Sequence, residues 1–220
     1  AEARSVYDRG VRVFKVKVGR DFLNDLVVID SLVREFSGSD VSLYADANEA
    51  LSPDTAPDQL KQLADRGLLY IEEHLSIELI SERARLRAEA ILPLIADDSA
   101  FTLADLEREL HFDTFEILNI KPARTGYTES LEMLTAIRPF GKGAMVGSQA
   151  STTTGTIRAA ILAGMQGINH PSELSFFLKL EDEIVTQPLK IENGFLDLDQ
   201  LVAVEIDDKK LAQATIQQEY

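Results

Sequence analysis

The stretch VRVFKVKVGRDFLNDLVVIDSLVREFSGSDVSLYADAN (11–48) holds a pattern that the rest of the chain repeats. Residues 11–19 are an apolar run with alternating lysines, and residues 41–48 are a second apolar run of strand length. Between them, in residues 23–36, apolar residues recur at spacings of three and four. Alternation favours a strand, whereas spacing of three and four favours an amphipathic helix. The stretch therefore predicts a strand, a helix and a second strand.

The same alternation continues along the chain, beginning with another helical pattern at 56–67. Further strand candidates lie at 67–73, 92–99, 115–122, 143–148 and 167–174. Strands that alternate with helices, without a run of hairpins, are typical of a parallel sheet. The segment 188–200 differs, because Asn193-Gly194 predicts a tight hairpin turn there.

Five consecutive strand candidates end in a charged residue, and these residues are spaced 24 to 29 positions apart: Lys17, Asp46, Glu72, Asp97 and Lys121. The next candidate ends in Gly147-Ser148. One β/α unit has about this length, and a (β/α) barrel carries its active site at the C-terminal strand ends. The spacing therefore predicts an α/β protein of the TIM-like (β/α) barrel class, with a site at this end.

The composition narrows the class of protein. The 220 residues include no cysteine, which excludes a disulfide framework and a cysteine nucleophile. Acidic residues outnumber basic ones by 37 to 22, so we expect neither nucleic acid nor an anionic membrane as a partner. No apolar run approaches the ~20 residues of a membrane span. We expect a globular, cytoplasmic protein that is compatible with divalent cations.

The order of the charged residues has a chemical meaning. Asp46, Glu72 and Asp97 follow consecutive strands, and three converging carboxylates suit Mg²⁺, with Mn²⁺ as an alternative. Lys17 and Lys121 lie four units apart, so that in an eight-stranded barrel they face each other across the mouth. A cation flanked by such a pair could hold a carboxylate substrate with its α-carbon between two bases. The cation would stabilise the charge that develops as the α-proton leaves.

Lys15 strengthens this hypothesis. Residues two apart on a strand share a face, so Lys15 and Lys17 both point into the barrel while Phe14, Val16 and Val18 face the helices. Two ammonium groups this close are expected to lower each other's pKa, and partial burial should lower it further. By the same spacing, Asn119 shares the face of Lys121.

These residues resemble the enolase superfamily, and in particular its muconate-lactonizing subgroup. The resemblance lies in KVKVG (15–19), YADAN (44–48), YIEE (70–73), IADDS (95–99) and NIKPARTG (119–126). The subgroup includes o-succinylbenzoate synthases, N-acylamino acid racemases and dipeptide epimerases. The resemblance implies proton abstraction through an enediolate, leading to racemisation or epimerisation, cycloisomerisation or syn-dehydration.

The same resemblance implies a role for each site residue. Asp46, Glu72 and Asp97 would bind Mg²⁺, and Lys17 and Lys121 would be the acid/base pair, with Lys15 tuning Lys17. Further residues are expected to contact the substrate or support the ligands: Asn48, Asn119, Asp98, Ser148 and Glu173. Glu173-Leu174-Ser175 stands where dipeptide epimerases show an Asp-x-Asp pair. This difference argues against a dipeptide as the substrate. His74, His111 and His170 are interpreted as surface or packing residues.

Relatives usually carry an N-terminal capping domain and a first strand, both of which we expect to be missing from this chain. We therefore predict a barrel domain at 1–187, holding strands two to eight, and a C-terminal segment at 188–220 that packs beside the cap. A small carboxylate substrate and a homo-oligomer are expected. Two alternatives stay open: an inert, truncated barrel or scaffold, and a class I aldolase that uses a Schiff-base lysine.

Overall fold

A parallel sheet organises residues 2–215, the part of the chain that the computed structural model describes. Its six strands pair side by side in the order in which they occur in the chain. The sheet curls into an open barrel, and helices pack on it. The strands are β1 Val13–Lys17, β2 Ser42–Asp46, β3 Ile71–Glu72, β4 Leu94–Ala96, β5 Ile117–Ile120 and β6 Gly143–Val146. The predicted (β/α) barrel class is confirmed, and the first six strand candidates each contain one of these strands.

Helices connect the strands and cover the sheet. They are α1 Glu2–Asp8, α2 Phe22–Glu35, α3 Ala56–Ala64, α4 Ile80–Glu89, α5 Leu103–Phe112, α6 Pro122–Ile137, α7 Thr153–Ala163, α8 Leu198–Val202 and α9 Asp208–Ala214. The helices predicted at 23–36 and 56–67 are confirmed as α2 and α3. Helix α2 begins at a cap, since the Asp21 side chain accepts a hydrogen bond from the Asn24 N–H. Among the described residues, none of these helices has the length and apolar character needed to cross a membrane.

The two faces of the strands pack differently. Phe14, Val16 and Val18 are buried in the core that also holds Leu26 and Ile29 of α2, as the alternation predicts. The inner face carries a second cluster: Tyr44, Tyr70, Ile95, Ile117 and Met145. The residues two positions further along the chain lie at the C-terminal end of the sheet: Asp46, Glu72, Asp97, Asn119 and Gly147. Because side chains alternate along a strand, the inner apolar layer places these residues above it.

The seventh strand candidate, 167–174, is wrong, because this segment has no strand in the structure. It runs beside β6 in an irregular conformation. Two N–H groups of β6 donate to side chains, that of Ala144 to Asn169 Oδ1 at 2.9 Å and that of Val146 to Ser172 Oγ at 3.0 Å. These side chains take the place of the carbonyl groups that a strand would offer.

The C-terminal segment packs on α7. Leu189 and Leu201 are buried in one cluster with Ala160 and Phe177. The predicted hairpin turn is confirmed, since Asn193 and Gly194 have φ of 50° and 87° and Glu192 pairs with Phe195 across the turn. The domain boundary at 187/188 stays a prediction, and residues 216–220 of the second unit lie outside the described residues.

The bond from Val146 to Ser172 yields a prediction about stability. Val146 is fully buried, so Ser172→Ala leaves its N–H without an acceptor. We expect the free energy of unfolding to fall by about 1–3 kcal/mol. Urea denaturation measures the change, and Ser172→Thr, which keeps a hydroxyl, is the control. A loss in the alanine variant no larger than in the threonine variant would contradict this account of the β6 edge.

Candidate active site

The C-terminal ends of five neighbouring strands bring the predicted charged residues to one edge of the sheet. Lys17, Asp46 and Glu72 are the last residues of β1, β2 and β3. Asp97 directly follows β4, and Lys121 directly follows β5. The strand register pairs Lys17 with Asp46 and Asp46 with Glu72. The three carboxylates therefore lie on adjacent strands, with one lysine on each side of them.

Lys15 lies among three carboxylates. Its Nζ is 2.6 Å from Glu173 Oε1, 2.7 Å from Glu72 Oε2 and 2.9 Å from Asp46 Oδ2. The side chains of Asp46 and Glu72 are almost fully buried, and that of Lys15 is 22% exposed. Buried charges are tolerated when they are paired in this way. One ammonium group thus contacts two candidate metal ligands and Glu173 and offsets part of their negative charge.

The two candidate acid/base lysines differ in their surroundings. Lys17 Nζ is 2.5 Å from Asp46 Oδ2 and 2.6 Å from Asn48 Oδ1, and its side chain is 63% exposed. Lys121 Nζ donates to Asp97 Oδ2, and its side chain is only 9% exposed. The two lysines therefore flank the row of carboxylates, one open to solvent and the other enclosed. Their catalytic roles stay predictions.

The expected supporting residues surround this row. Asn119 Nδ2 donates to Glu72 Oε1 at 3.1 Å, and the Asn48 N–H donates to Asp46 Oδ1 at 2.9 Å. The Ser148 N–H donates to Glu173 Oε2 at 3.2 Å. Asp98 is half exposed and accepts a hydrogen bond from Arg124 at 2.6 Å instead of pointing at the other carboxylates.

Gly147 allows β6 to approach this site closely. A Cβ atom on Gly147 would lie 2.3 Å from Asn119 Oδ1 and 2.7 Å from Lys121 Cε. Only glycine leaves room for both side chains at this position. The end of β6 therefore forms one wall of the site.

Comparison with known proteins identifies the family. The model of the enolase C-terminal domain-like family matches residues 1–210. The chain belongs to this family. It is 26% identical to the N-succinylamino acid racemase of Thermus thermophilus over 199 residues, which are 90% of this chain and 53% of the racemase. Its identity to the o-succinylbenzoate synthase of Bacillus subtilis is also 26%, over 90% of this chain and 52% of the synthase.

A solved structure agrees with this assignment. The muconate lactonizing enzyme of Mycobacterium smegmatis, in a complex with muconolactone, superposes with a TM-score of 0.87 at 32% identity. The match covers 96% of this chain and 59% of that enzyme. The resemblance to the enolase superfamily is therefore confirmed, and the chain spans about half the length of the curated relatives it matches.

Several residues at this site are not among those that the sequence predicts. The Tyr44 hydroxyl donates to Glu173 Oε1 at 2.7 Å, and Tyr44 could have been found because it precedes Asp46 by two residues on one strand. Arg124 lies within NIKPARTG and approaches Asp97 Oδ1 to 3.1 Å. Behind the site, Glu73 and Arg83 form a buried pair. Nothing in the sequence indicates that Arg83 is buried, because ISERARLRAE (80–89) has the pattern of a solvent-exposed helix.

The crowding of charges shifts the pKa of the central groups. Burial raises the pKa of Glu72 well above its usual value, and the negative charges of Glu173, Asp46 and Asp97 add to this against the opposing charge of Lys15. Burial also opposes ionisation of Asp46, but Lys15 and Lys17 outweigh it and lower the pKa of Asp46.

The prediction of a lowered pKa is wrong for Lys15. Burial alone would lower the pKa of Lys15, but the negative charges of Glu72, Glu173 and Asp46 outweigh burial and raise it above its ordinary value. The ammonium group of Lys17 is close to Lys15 along the strand, but the carboxylates that other parts of the chain bring to Lys15 are not visible from the spacing of the two lysines. Lys15 is therefore a firmly protonated partner of the acidic residues in this structure.

The donor set fits a hard divalent cation. Enolase-superfamily enzymes generally use Mg²⁺. Three buried oxygen atoms at the site accept no well-directed hydrogen bond: Glu72 Oε2, Asp97 Oδ1 and Asn119 Oδ1. Oxygen ligands of this kind are those that Mg²⁺ prefers. Within residues 2–215, however, no three acidic or histidine side chains are already arranged around one ion position. The lysines engage the carboxylates instead, so the assignment of Asp46, Glu72 and Asp97 as ligands stays a prediction.

Lys15 yields a prediction for the metal-free protein. Lys15→Met leaves Asp46, Glu72 and Glu173 without their common cation. We expect the free energy of unfolding in EDTA to fall by about 2 kcal/mol or more, towards the ~3–5 kcal/mol of a broken buried pair. Thermal and urea denaturation measure the loss.

Lys17→Met is the matched control for this experiment. Its side chain is mostly exposed, so we expect a loss below about 1 kcal/mol. Equal losses in the two variants would show that Lys15 does not carry the charge balance of the site.

Proposed function

We propose that this chain carries the catalytic site of a Mg²⁺-dependent enzyme that removes the α-proton of a carboxylate substrate. One observation carries the proposal: buried carboxylates end three adjacent strands, and a lysine lies on each side of the row. Asp46, Glu72 and Asp97 would hold the cation, and Lys17 and Lys121 would exchange protons with the substrate. Lys15 would hold Asp46 and Glu72 in place.

The arrangement suits proton transfer at a carbon next to a carboxylate. When bound, Mg²⁺ would act as a Lewis acid towards the negative charge that develops on the substrate carboxylate. Each lysine approaches the row from a different side, which is the placement that two bases on opposite faces of one carbon require. The enclosed position of Lys121 shields its Nζ from water, whereas Lys17 can exchange its proton with solvent.

The type of reaction can be proposed more closely than the identity of the substrate. The relatives named above are a racemase, a synthase and a lactonizing enzyme, and one pair of lysines can serve racemisation or epimerisation, cycloisomerisation or syn-dehydration. Glu173 favours a substrate without a free ammonium group beside it. Its two oxygens already accept from Lys15, Tyr44 and the Ser148 N–H. We therefore favour an acylated amino acid or a dicarboxylate over a dipeptide.

The location of the protein in the cell and its binding partners are also part of the proposal. We infer a small-molecule enzyme of the cytoplasm that forms homo-oligomers and binds neither nucleic acid nor membranes. The formal charge of −15 argues against nucleic acid and anionic membranes, and the absence of cysteine suits a reducing compartment.

The proposed ligands predict a loss of metal binding. We expect Asp46→Asn to weaken Mg²⁺ binding by at least ~100-fold, since even changes beyond the direct ligands cost 10–100-fold in other metal sites. Isothermal titration with Mg²⁺, in the protein that carries this chain, measures the dissociation constant. Asp54→Asn makes the same change of charge at an exposed position and should leave the constant within threefold. Equal affinities in the two variants would exclude Asp46 as a ligand.

The lysine pair predicts a stereochemical outcome. We expect Lys121→Met to abolish exchange of the α-proton of one enantiomer of an N-acylamino acid in D₂O, and Lys17→Met that of the other. Loss of a positioned base should slow exchange by ~10²–10⁴-fold. Proton NMR of each enantiomer measures the rates, and Lys61→Met, at an exposed position on α3, is the control. A borohydride-trapped adduct with a keto substrate would instead support the Schiff-base alternative.

A further inference from the structure

A buried ionic network lies directly behind the candidate metal site. Arg83 of α4 is 1% exposed, and its guanidinium contacts Glu73 Oε2 at 3.1 Å and Glu109 Oε2 at 3.4 Å. It also donates to Ser99 Oγ at 2.8 Å and to the Leu75 carbonyl at 3.0 Å. Three charged side chains out of water are costly unless their geometry is well satisfied.

One oxygen of Glu73 gathers three donors from the segment that carries Asp97. Glu73 Oε1 accepts from the Asp97 N–H at 2.6 Å, the Ser99 N–H at 3.1 Å and the Ser99 hydroxyl at 2.6 Å. The other oxygen of Glu73 faces Arg83. The carboxylate thus joins the end of β3 to the turn after β4, and Arg83 sets its orientation.

Glu73 directly follows Glu72, the last residue of β3. The two side chains have different partners, since Glu72 contacts Lys15 and Glu73 contacts Arg83. Glu72 points to the candidate metal site, and Glu73 turns towards α4 and the end of β4. Glu73 has a φ of 40°, a left-handed conformation that a non-glycine residue adopts only where its surroundings hold it.

We propose that Glu73 is a positioning residue that fixes the backbone of Asp97 and thereby aims the Asp97 carboxylate at the bound cation. This inference rests on the proposed function, in which Asp97 is a metal ligand. Arg83 and Ser99 serve the same purpose by holding Glu73. The end of β3 then supplies both one ligand, Glu72, and the anchor of the next ligand along the sheet.

The test separates the hydrogen-bond acceptor from the charge. Glu73→Met removes both the acceptor and the negative charge, whereas Glu73→Gln removes the charge and keeps an oxygen for the Asp97 N–H. We expect Glu73→Met to weaken Mg²⁺ binding by ~10–100-fold and Glu73→Gln to restore it to within threefold of the wild type. Isothermal titration with Mg²⁺ and the electron paramagnetic resonance spectrum of bound Mn²⁺ are the readouts, and neither depends on catalysis.

Glu109→Gln is the matched control for a purely structural effect. It perturbs the same guanidinium at Nη2, the atom that also donates to Ser99 Oγ, but Glu109 itself makes no hydrogen bond to residues 97–99 in the described part of the chain. We expect it to lower the melting temperature in EDTA and to leave the Mg²⁺ dissociation constant within threefold. If Glu73→Met does not fold, Ser99→Ala takes its place, and it should weaken Mg²⁺ binding by less than tenfold but measurably.

Three results would overturn the proposal. One is wild-type affinity in Glu73→Met, or in Ser99→Ala if that variant is used. Another is an equal loss in Glu73→Gln and Glu73→Met, which would assign the effect to charge alone. The third is a wild-type protein that binds no Mg²⁺. Only this third result would also contradict the proposed function.

Discussion

The burial of several carboxylates at one end of a parallel sheet is the constraint on which the rest of this structure depends. Asp46, Glu72 and Asp97 end neighbouring strands, and Glu173 reaches the same place from the segment beside β6. Like charges at this distance repel strongly in a poorly hydrated interior. The structure compensates them with Lys15, Lys17, Lys121 and Arg124, each of which contacts at least one of the acidic groups.

This compensation connects fold and chemistry. The ion pairs hold the candidate ligands and the candidate bases in one place. The exposed Lys17 and the enclosed Lys121 lie on two sides of a single row of carboxylates. Strand ends are rigid supports for such a row, because each strand is fixed by pairing on both sides and by packing below. The inner layer of Tyr44, Tyr70, Ile95, Ile117 and Met145 provides that packing.

The sequence predicted much of this arrangement because two simple periods govern it. One is the β/α repeat, which brings the residue at the end of each strand to the same edge of the sheet. The other is the alternation along a strand, which separates Phe14 and Val16 from Lys15 and Lys17. The prediction failed at 167–174, where the side chains of Asn169 and Ser172 replace strand pairing. Such side-chain acceptors are not visible in a hydrophobic pattern.

The sequence by itself therefore determined the fold class, the edge of the sheet that carries the site and the residues at the strand ends. These follow from chain direction and side-chain alternation, which are local properties. Only the tertiary structure decided the partners of each charge. Lys15 has a raised pKa because carboxylates from β2, β3 and the segment after α7 surround it, and Glu73 contacts Asp97 because β3 and β4 are neighbours. The energy of a charge depends on every group and on the solvent around it in three dimensions. The sequence of one strand therefore does not determine this energy.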